Sequence, residues 1–179
     1  MVHIYYGNGK GKTSSAAGLC LRAISCGVPV IFVQFLKDGS SGEARFLEER
    51  PNVTVLHTKD HFGFWRRMTD AEKEETARQS RELLIQTSGY IRRREIKNTD
   101  ADISGIIVLD EVLNAVEYGI FDAPEIRDFI KEIPCGYEAV LTGKNAPQAL
   151  IEEADYVTEL KMIKHPYEKG VKARCGVEK

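Results

Sequence analysis

The chain has 179 residues, with 25 Lys and Arg against 27 Asp and Glu and a net charge of −2. That is enough for one domain with a substantial core, and the near-neutral balance gives no electrostatic pull toward nucleic acid or an anionic membrane. The apolar stretches are strand-sized, short of the roughly 20 residues of a membrane span. Four scattered cysteines, Cys20, Cys26, Cys135 and Cys175, without a C-x-x-C pair, argue against a disulfide or zinc framework and lead to the expectation of a cytoplasmic protein.

Residues 2–6 read as an apolar strand that begins at once, so no signal peptide is expected. Next come Gly7, Asn8, Gly9, Lys10, Gly11, Lys12, Thr13 and Ser14. A strand feeding a glycine-rich turn that ends in Lys-Thr at a helix start is the layout of a phosphate-cradling P-loop. The spacing is G-x-x-x-G-K-T, one residue shorter than the common form, with an extra glycine at Gly9. Glycines let backbone N–H groups converge on phosphate oxygens, and the helix adds its positive dipole end. Lys12 is expected to reach the terminal phosphates and the Thr13 hydroxyl to sit on Mg²⁺. The competing reading, a turn that binds nothing, is disfavoured by the Gly-Lys-Thr ending behind a strand.

Residues 13–26 read as a helix whose small residues Ser14, Ser15, Ala16, Ala17 and Gly18 suit close packing on a sheet, with Gly27 as its cap. Residues 28–35 have the continuous apolar character of a buried strand, and 53–57 form another. A long polar helix is predicted from 70 to about 97, with Ala77, Leu84 and Ile91 on one face and Gly89 weakening it locally. Residues 106–109 are a strong strand ending at Asp110 and Glu111. Pro124 opens a helix to about 131; then follow a strand at 138–142, a short helix at 147–153 and a last strand at 156–160. Segments 37–42, 60–68 and 161–179 are polar and loop-like, as binding segments often are. The alternation predicts an α/β fold of the P-loop NTPase-like (RecA-like) kind: a mostly parallel sheet with helices on both faces, in a single domain over 1–179.

The run from Ile106 to Glu111 has Walker-B form, an apolar strand delivering carboxylates at the end of the sheet that also holds the P-loop. Asp110 or Glu111 can hold Mg²⁺, directly or through water. Alternatively, the Asp caps the next helix. These local motifs say nucleotide plus Mg²⁺ and leave the reaction open.

Residues Tyr6 to Gly18 resemble the P-loop of the ATP:corrinoid adenosyltransferases of the CobA/CobO/BtuR type, short first spacing included. Val33-Gln34-Phe35-Leu36-Lys37, then Gly42-Glu43, is similar to that family's second-strand segment, and Val108 to Ala115 to its Walker-B block. Thr142-Gly143-Lys144-Asn145-Ala146-Pro147, residues 150–159, Lys164-His165-Pro166-Tyr167, Gly170-Val171-Lys172-Ala173 and Gly176-Val177-Glu178 follow its C-terminal signature. The resemblance covers residues 2–178. Lys144 stands where the family usually has Arg, which would reduce a bidentate phosphate contact to a point charge. Many members carry an N-terminal extension that can cover the site, whereas this sequence opens on its first strand, and Lys179 replaces a terminal aromatic.

The resemblance implies transfer of the 5′-deoxyadenosyl group of ATP to Co(I) of a corrinoid, with triphosphate as leaving group. The corrinoid could be cob(I)yrinic acid a,c-diamide, cobinamide or cobalamin. The P-loop residues, with Lys144 and Asn145, would hold the nucleotide, and Thr13, Asp110 and Glu111 would hold Mg²⁺. No protein base is required, because the nucleophile is the substrate's metal. Reaching Co(I) is easier once the lower axial ligand of Co(II) is displaced by apolar side chains. Phe62, Phe64 and Trp65 occupy the family's aromatic loop, and which of them faces cobalt is left open; by themselves they would read as an aromatic plug in the core. His57 or His61 as cobalt ligands would oppose that ligand loss. Arg66, Arg67 and the Arg92-Arg93-Arg94 run read as solvated faces, and His165-Pro166-Tyr167 as a candidate cover for the site. A homodimer and a flavodoxin-like flavoprotein reductant are implied, with neither nucleic acid nor membrane as partner. Two other functions compete with this one: a nucleotide-gated adenosylcorrinoid carrier, and a RecA-like ATPase, which would usually need an arginine finger or a nucleic-acid surface, the latter given little support by the modest charge.

Overall fold

Burial of both sheet faces is what the continuous apolar strands demand, and a computed structural model provides it. It describes residues 1–60, 62–93 and 102–177; His61, Arg94, the expected helical stretch to residue 97, Glu178 and Lys179 lie outside them. Six strands, β1 (Val2–Tyr6), β2 (Val30–Gln34), β3 (Val53–His57), β4 (Gly105–Asp110), β5 (Tyr137–Gly143) and β6 (Tyr156–Glu159), form one sheet in the order β3-β2-β4-β5-β1-β6. Every pairing is parallel, with Val30 opposite Ile106, Ile107 opposite Ala139 and Leu141 opposite Ile4. The helices are α1 (Lys12–Ser25), α2 (Gly42–Glu48), α3 (Asp70–Arg93), α4 (Val112–Glu117), α5 (Ala123–Lys131) and α6 (Gln148–Ile151).

Side chains alternate between the faces of a strand. Ile31, Val33, Ile107, Leu109, Ala139 and Leu141 therefore enter one core layer, closed by α3, α4, α5 and α6 through residues such as Leu83, Leu113, Ile126 and Leu150. Val30, Phe32, Ile106, Val108 and Val140 enter the other, closed by Ala16 and Cys20 of α1 and Leu47 of α2. The small buried residues of α1 let it lie close to the sheet. Burial pushes the Cys20 thiol up to about 12, so it stays protonated and inert.

Element boundaries differ from the sequence reading by a few residues, and each difference has a cause. Val28 and Phe35 are buried but lie outside β2, because apolar character reports burial and not ladder hydrogen bonding. The chain turns sharply after β2 at Leu36, whose φ is 60°. α3 buries Leu84 and Ile91 as expected, together with a polar set, Thr76, Gln79, Ser80 and Thr87, that a hydrophobic periodicity does not register. Ser80 and Thr87 donate to the carbonyls of Thr76 and Leu83, both at 2.8 Å. Gln79 accepts from the Lys59 and Asp60 N–H groups at 2.8 and 3.1 Å and pins the loop after β3. α2 and α4, at seven and six residues, are too short to show a helical period in the sequence; only the alternative reading of Asp110 as a cap points to a helix at α4.

Pro124 lies in the first turn of α5, and Asp122 caps that helix by accepting from the Glu125 N–H at 2.7 Å. Asp122→Ala should lower the unfolding free energy by about 1 kcal/mol. Urea denaturation checks this, and an unchanged midpoint would mean that the cap contributes nothing.

Candidate active site

The functional segments emerge together at the C-terminal ends of β1, β2, β4 and β5, where an open parallel sheet gathers its binding loops. After β1 the chain enters the P-loop. Gly7 (φ 119°) and Gly11 (φ 112°) adopt backbone conformations closed to most residues. Gly7 N–H donates to the Lys144 carbonyl at 2.9 Å and Gly9 N–H to the Leu160 carbonyl at 2.7 Å. A Cβ on Gly9 would lie 2.7 Å from the Leu160 oxygen, and one on Gly7 would collide with the same carbonyl. The close approach that requires glycine at these two positions is thus to the chain leaving β6. Met162 N–H reinforces it by donating to Asn8 Oδ1 at 2.9 Å. Lys12 curls back over the loop, and its Nζ donates to the carbonyls of Gly7 at 2.8 Å and Gly9 at 2.7 Å. Burial lowers the Lys12 pKa; Glu111 and Asp110 oppose that shift and Lys37 adds to it.

Asp110, the last residue of β4, is completely buried. Oδ1 accepts from Thr13 Oγ1 at 2.9 Å and Thr142 Oγ1 at 2.7 Å, and Oδ2 from Lys37 Nζ at 2.9 Å and Gln34 Nε2 at 3.2 Å. None of these donors belongs to the backbone of α4, so Asp110 is not a helix cap. Glu111 takes the position before α4 in the left-handed region, φ 63°. Its N–H donates to Thr142 Oγ1 at 2.9 Å, its Oε2 accepts from Asn114 Nδ2 at 3.3 Å, and its Oε1 lies 3.2 Å from Lys37 Nζ. Burial works against the charge on Lys37, but Asp110 and Glu111 outweigh it, and its pKa stands above the ordinary lysine value.

These groups open on a cavity of about 1140 Å³. Its lining includes the P-loop from Asn8 to Ser14, Lys37, Glu111, Phe64, Trp65 and Tyr118, together with His165, Pro166 and residues 171–173 and 175–177 of the tail. The three aromatics of the 62–65 segment separate. Trp65 opens a 3₁₀ turn (Trp65–Arg67), packs against the core and stacks on Tyr118, with centroids 5.0 Å apart and planes 2° apart. Phe64 is 77% exposed, with Arg67 5.9 Å from its ring centroid. Phe62 is exposed and is not part of the cavity lining.

The family described as ATP:corrinoid adenosyltransferase BtuR/CobO/CobP matches residues 1–178. The chain belongs to this family. Relatives named corrinoid adenosyltransferase include one from Sinorhizobium sp (33% identical, over 99% of this chain and 79% of the relative) and one from Pseudomonas aeruginosa (34%, over 98% and 81%). Another, from Escherichia coli, is 30% identical over 99% of this chain and 85% of the relative. Membership makes the protein a transferase, with ATP and a corrinoid as the family's substrates. Among solved structures, the cytoplasmic domain of EssC superposes with a TM-score of 0.51 at 13% identity, covering 97% of this chain and 35% of that one. The two ATPase domains of EssC from Geobacillus thermodenitrificans give 0.51 at 14%, covering 98% and 34%. At that identity, and over about a third of those chains, the likeness shows the RecA-like α/β fold alone.

For this adenosyltransferase, Asn8 to Ser14, Glu111, Phe64 and Trp65 meet at one cavity, and Asp110 lies directly behind it. Lys144 and Asn145 have exposed side chains outside the lining; Lys144 serves the site through its backbone, whose N–H donates to Asn114 Oδ1 at 2.7 Å. His57 is also outside, with Nδ1 on the Thr58 carbonyl at 2.8 Å. His165 and Pro166 of the tail do reach the cavity. Sequence reasoning assigned no role to Gln34, Lys37, Asn114, Tyr118 or Thr142. For Lys37 and Thr142 a signal existed, since both follow or close a buried strand at its C-terminal end. Thr142→Val preserves shape but leaves Asp110 and the Glu111 N–H each short of a partner, at a cost of about 2 kcal/mol or more in stability. Chemical denaturation measures this, and a neutral result would contradict the bridging role.

Proposed function

We propose that the protein transfers the 5′-deoxyadenosyl group of ATP to the Co(I) of a corrinoid and releases triphosphate. The observation that carries this reading is the start of α1. It has neither a side-chain cap bond nor an acidic residue in its first turn, a lack it shares with α4 and α6, but here Lys12 and the P-loop lie beside it in the cavity lining. A helix start without a side-chain cap, beside lysines in a cavity, suits a polyphosphate. About 1140 Å³ also exceeds what a single drug-sized ligand fills, which favours two substrates bound side by side.

In the step, Co(I) attacks C5′ in line, the Co–C bond forms, and the C5′–O electron pair leaves with the triphosphate. Lys12 exchanges the Gly7 and Gly9 carbonyls for phosphate oxygens and, with the first N–H groups of α1, stabilises the charge growing on the leaving group. Thr13, Asp110 and Glu111 offer hard oxygen donors that fit Mg²⁺. Among the described residues no three of His, Cys, Asp and Glu gather to hold an ion, so phosphate oxygens would complete the set. Bound there, Mg²⁺ would supply further neutralisation of the triphosphate. Of Phe62, Phe64 and Trp65, the candidates for the apolar surface that displaces the lower axial ligand, Phe62 lies outside the cavity and Trp65 is stacked on Tyr118, which leaves the exposed Phe64 to press on a macrocycle. Lys144 and Asn145 would add to nucleotide contacts. The corrinoid is a biosynthetic intermediate, cobinamide or cobalamin. The single domain over 1–179 would act as a cytoplasmic homodimer, supplied with electrons by a flavodoxin-like flavoprotein.

The test is anaerobic incubation with MgATP and chemically reduced cobalamin or cobinamide, following the visible spectrum of the light-sensitive cobalt–carbon product and assaying triphosphate. Product with one triphosphate per turnover supports the transferase. Phosphate release without corrinoid would favour an ATPase, and a single turnover with retained product a carrier. Lys12→Ala should lower the rate roughly a hundredfold or more, and wild-type turnover in that variant would sink the P-loop assignment. Phe64→Ala should impair transfer to Co(II) substrate under a mild reductant far more than transfer to preformed Co(I). Equal losses in both assays would assign Phe64 to the fold alone.

A further inference from the structure

Of the lysines that line the cavity, Lys12 and Lys37 do different things. Lys12 is engaged with loop carbonyls. Lys37 is engaged with the carboxylates: its Nζ lies 2.9 Å from Asp110 Oδ2 and 3.2 Å from Glu111 Oε1, while Thr13 Oγ1 occupies the other Asp110 oxygen. Its ammonium therefore sits among the oxygens that a cation at Thr13, Asp110 and Glu111 would use. The backbone is shaped for this pairing from both sides. Leu36, immediately before Lys37, and Glu111 both hold left-handed φ angles, 60° and 63°, that non-glycine residues seldom adopt. Thr58 Oγ1 fixes the turn by donating to the Lys37 carbonyl at 2.7 Å, and the Phe35 N–H donates to the Asp110 carbonyl at 2.9 Å.

We infer that Lys37 occupies the metal position before nucleotide binds and yields it only to a cation arriving on phosphate, so that divalent metal loads with the nucleotide and not ahead of it. This rests on the reading of Thr13, Asp110 and Glu111 as the metal's ligands. The physical reason is competition for charge. With Lys37 in place, the two carboxylates present one net negative charge, a weak attraction for an ion that must shed water. Metal-bound nucleotide changes both sides of that balance. The ion arrives with ligands of its own, and the phosphates offer the ammonium a new anionic partner. Lys37 lines the same cavity and keeps 24% of its side chain exposed, so its flexible stem can swing toward phosphate while Asp110 stays buried.

The test uses the whole chain with Mn²⁺ as probe, read by loss of the free-ion paramagnetic resonance signal. Wild-type protein alone should leave the signal intact, and should take up Mn²⁺ once a non-hydrolysable ATP analogue is added. Lys37→Met keeps the stem and removes the charge. It should bind about one Mn²⁺ without nucleotide, at least about tenfold more tightly than wild type. Lys37→Arg should behave as wild type, and adding Asp110→Asn to Lys37→Met should abolish the uptake. A folded Lys37→Met variant that binds no more Mn²⁺ than wild type overturns the inference. So does wild-type protein that binds Mn²⁺ as tightly without the analogue as with it, an arm that stands even if Lys37→Met fails to fold. Should Asp110→Asn in an otherwise unchanged chain bind Mn²⁺ with the analogue as tightly as wild type does, the ligand assignment itself falls, and the inference with it.

Discussion

A carboxylate sealed from water must find a donor for each strong acceptor position it carries, or its burial costs several kcal/mol. Asp110 is such a group, and its four donors come from four places: Thr13 at the start of α1, Gln34 at the end of β2, Lys37 in the turn beyond it, and Thr142 near the end of β5. Satisfying one buried charge therefore fixes the P-loop, the β2 turn and the β5 end relative to one another. The sheet order makes this possible. β4 lies between β2 and β5, so its last residue faces donors on both flanks, and β5 lies between β4 and β1 and carries Thr142 as a bridge toward the P-loop side.

The consequences extend outward from that carboxylate. Thr142 also accepts from the Glu111 N–H, which helps hold Glu111 in a strained conformation and aims its side chain at Lys37. Strain of this kind persists only where surrounding bonds over-determine the backbone. Asn114 links the same turn to the start of the segment after β5, and the Lys144 carbonyl in turn receives Gly7 N–H. The P-loop is thus held from beneath by Asp110 through Thr13, and from the side by Lys144 and Leu160. Under the proposed function, a loop backbone so restrained would require little reorganisation when phosphate enters, leaving mainly the lysine side chains to move.

The tail and residues 63–65 also line the cavity. Leaving β6, the chain crosses the P-loop at Leu160 and Met162 and then returns along the cavity at His165, Pro166 and beyond. Opposite roles fall to neighbouring aromatics. Trp65 is built into the scaffold through Tyr118, while Phe64, one residue earlier, remains exposed to whatever binds. Neither role follows from residue type, since both side chains are large, apolar and adjacent.

The amino-acid order by itself determined the strand and helix alternation, the P-loop, the Walker-B strand and the family. Each of these is written in local spacing: period-two or continuous apolar runs, glycines around a Lys-Thr, and blocks of residues in a set order. It also placed the start of α3 and both ends of α5 within a few residues, because Pro124 and the apolar repeat act within one or two turns. Only the tertiary structure decided which of two adjacent acids is the buried hub, why Gly7 and Gly9 must be glycine, how the aromatics divide their work, and that Lys37 rather than Lys12 faces the carboxylates. Those facts depend on distances between segments far apart in the chain. Strand order and register set such distances, and no local pattern of residues encodes them.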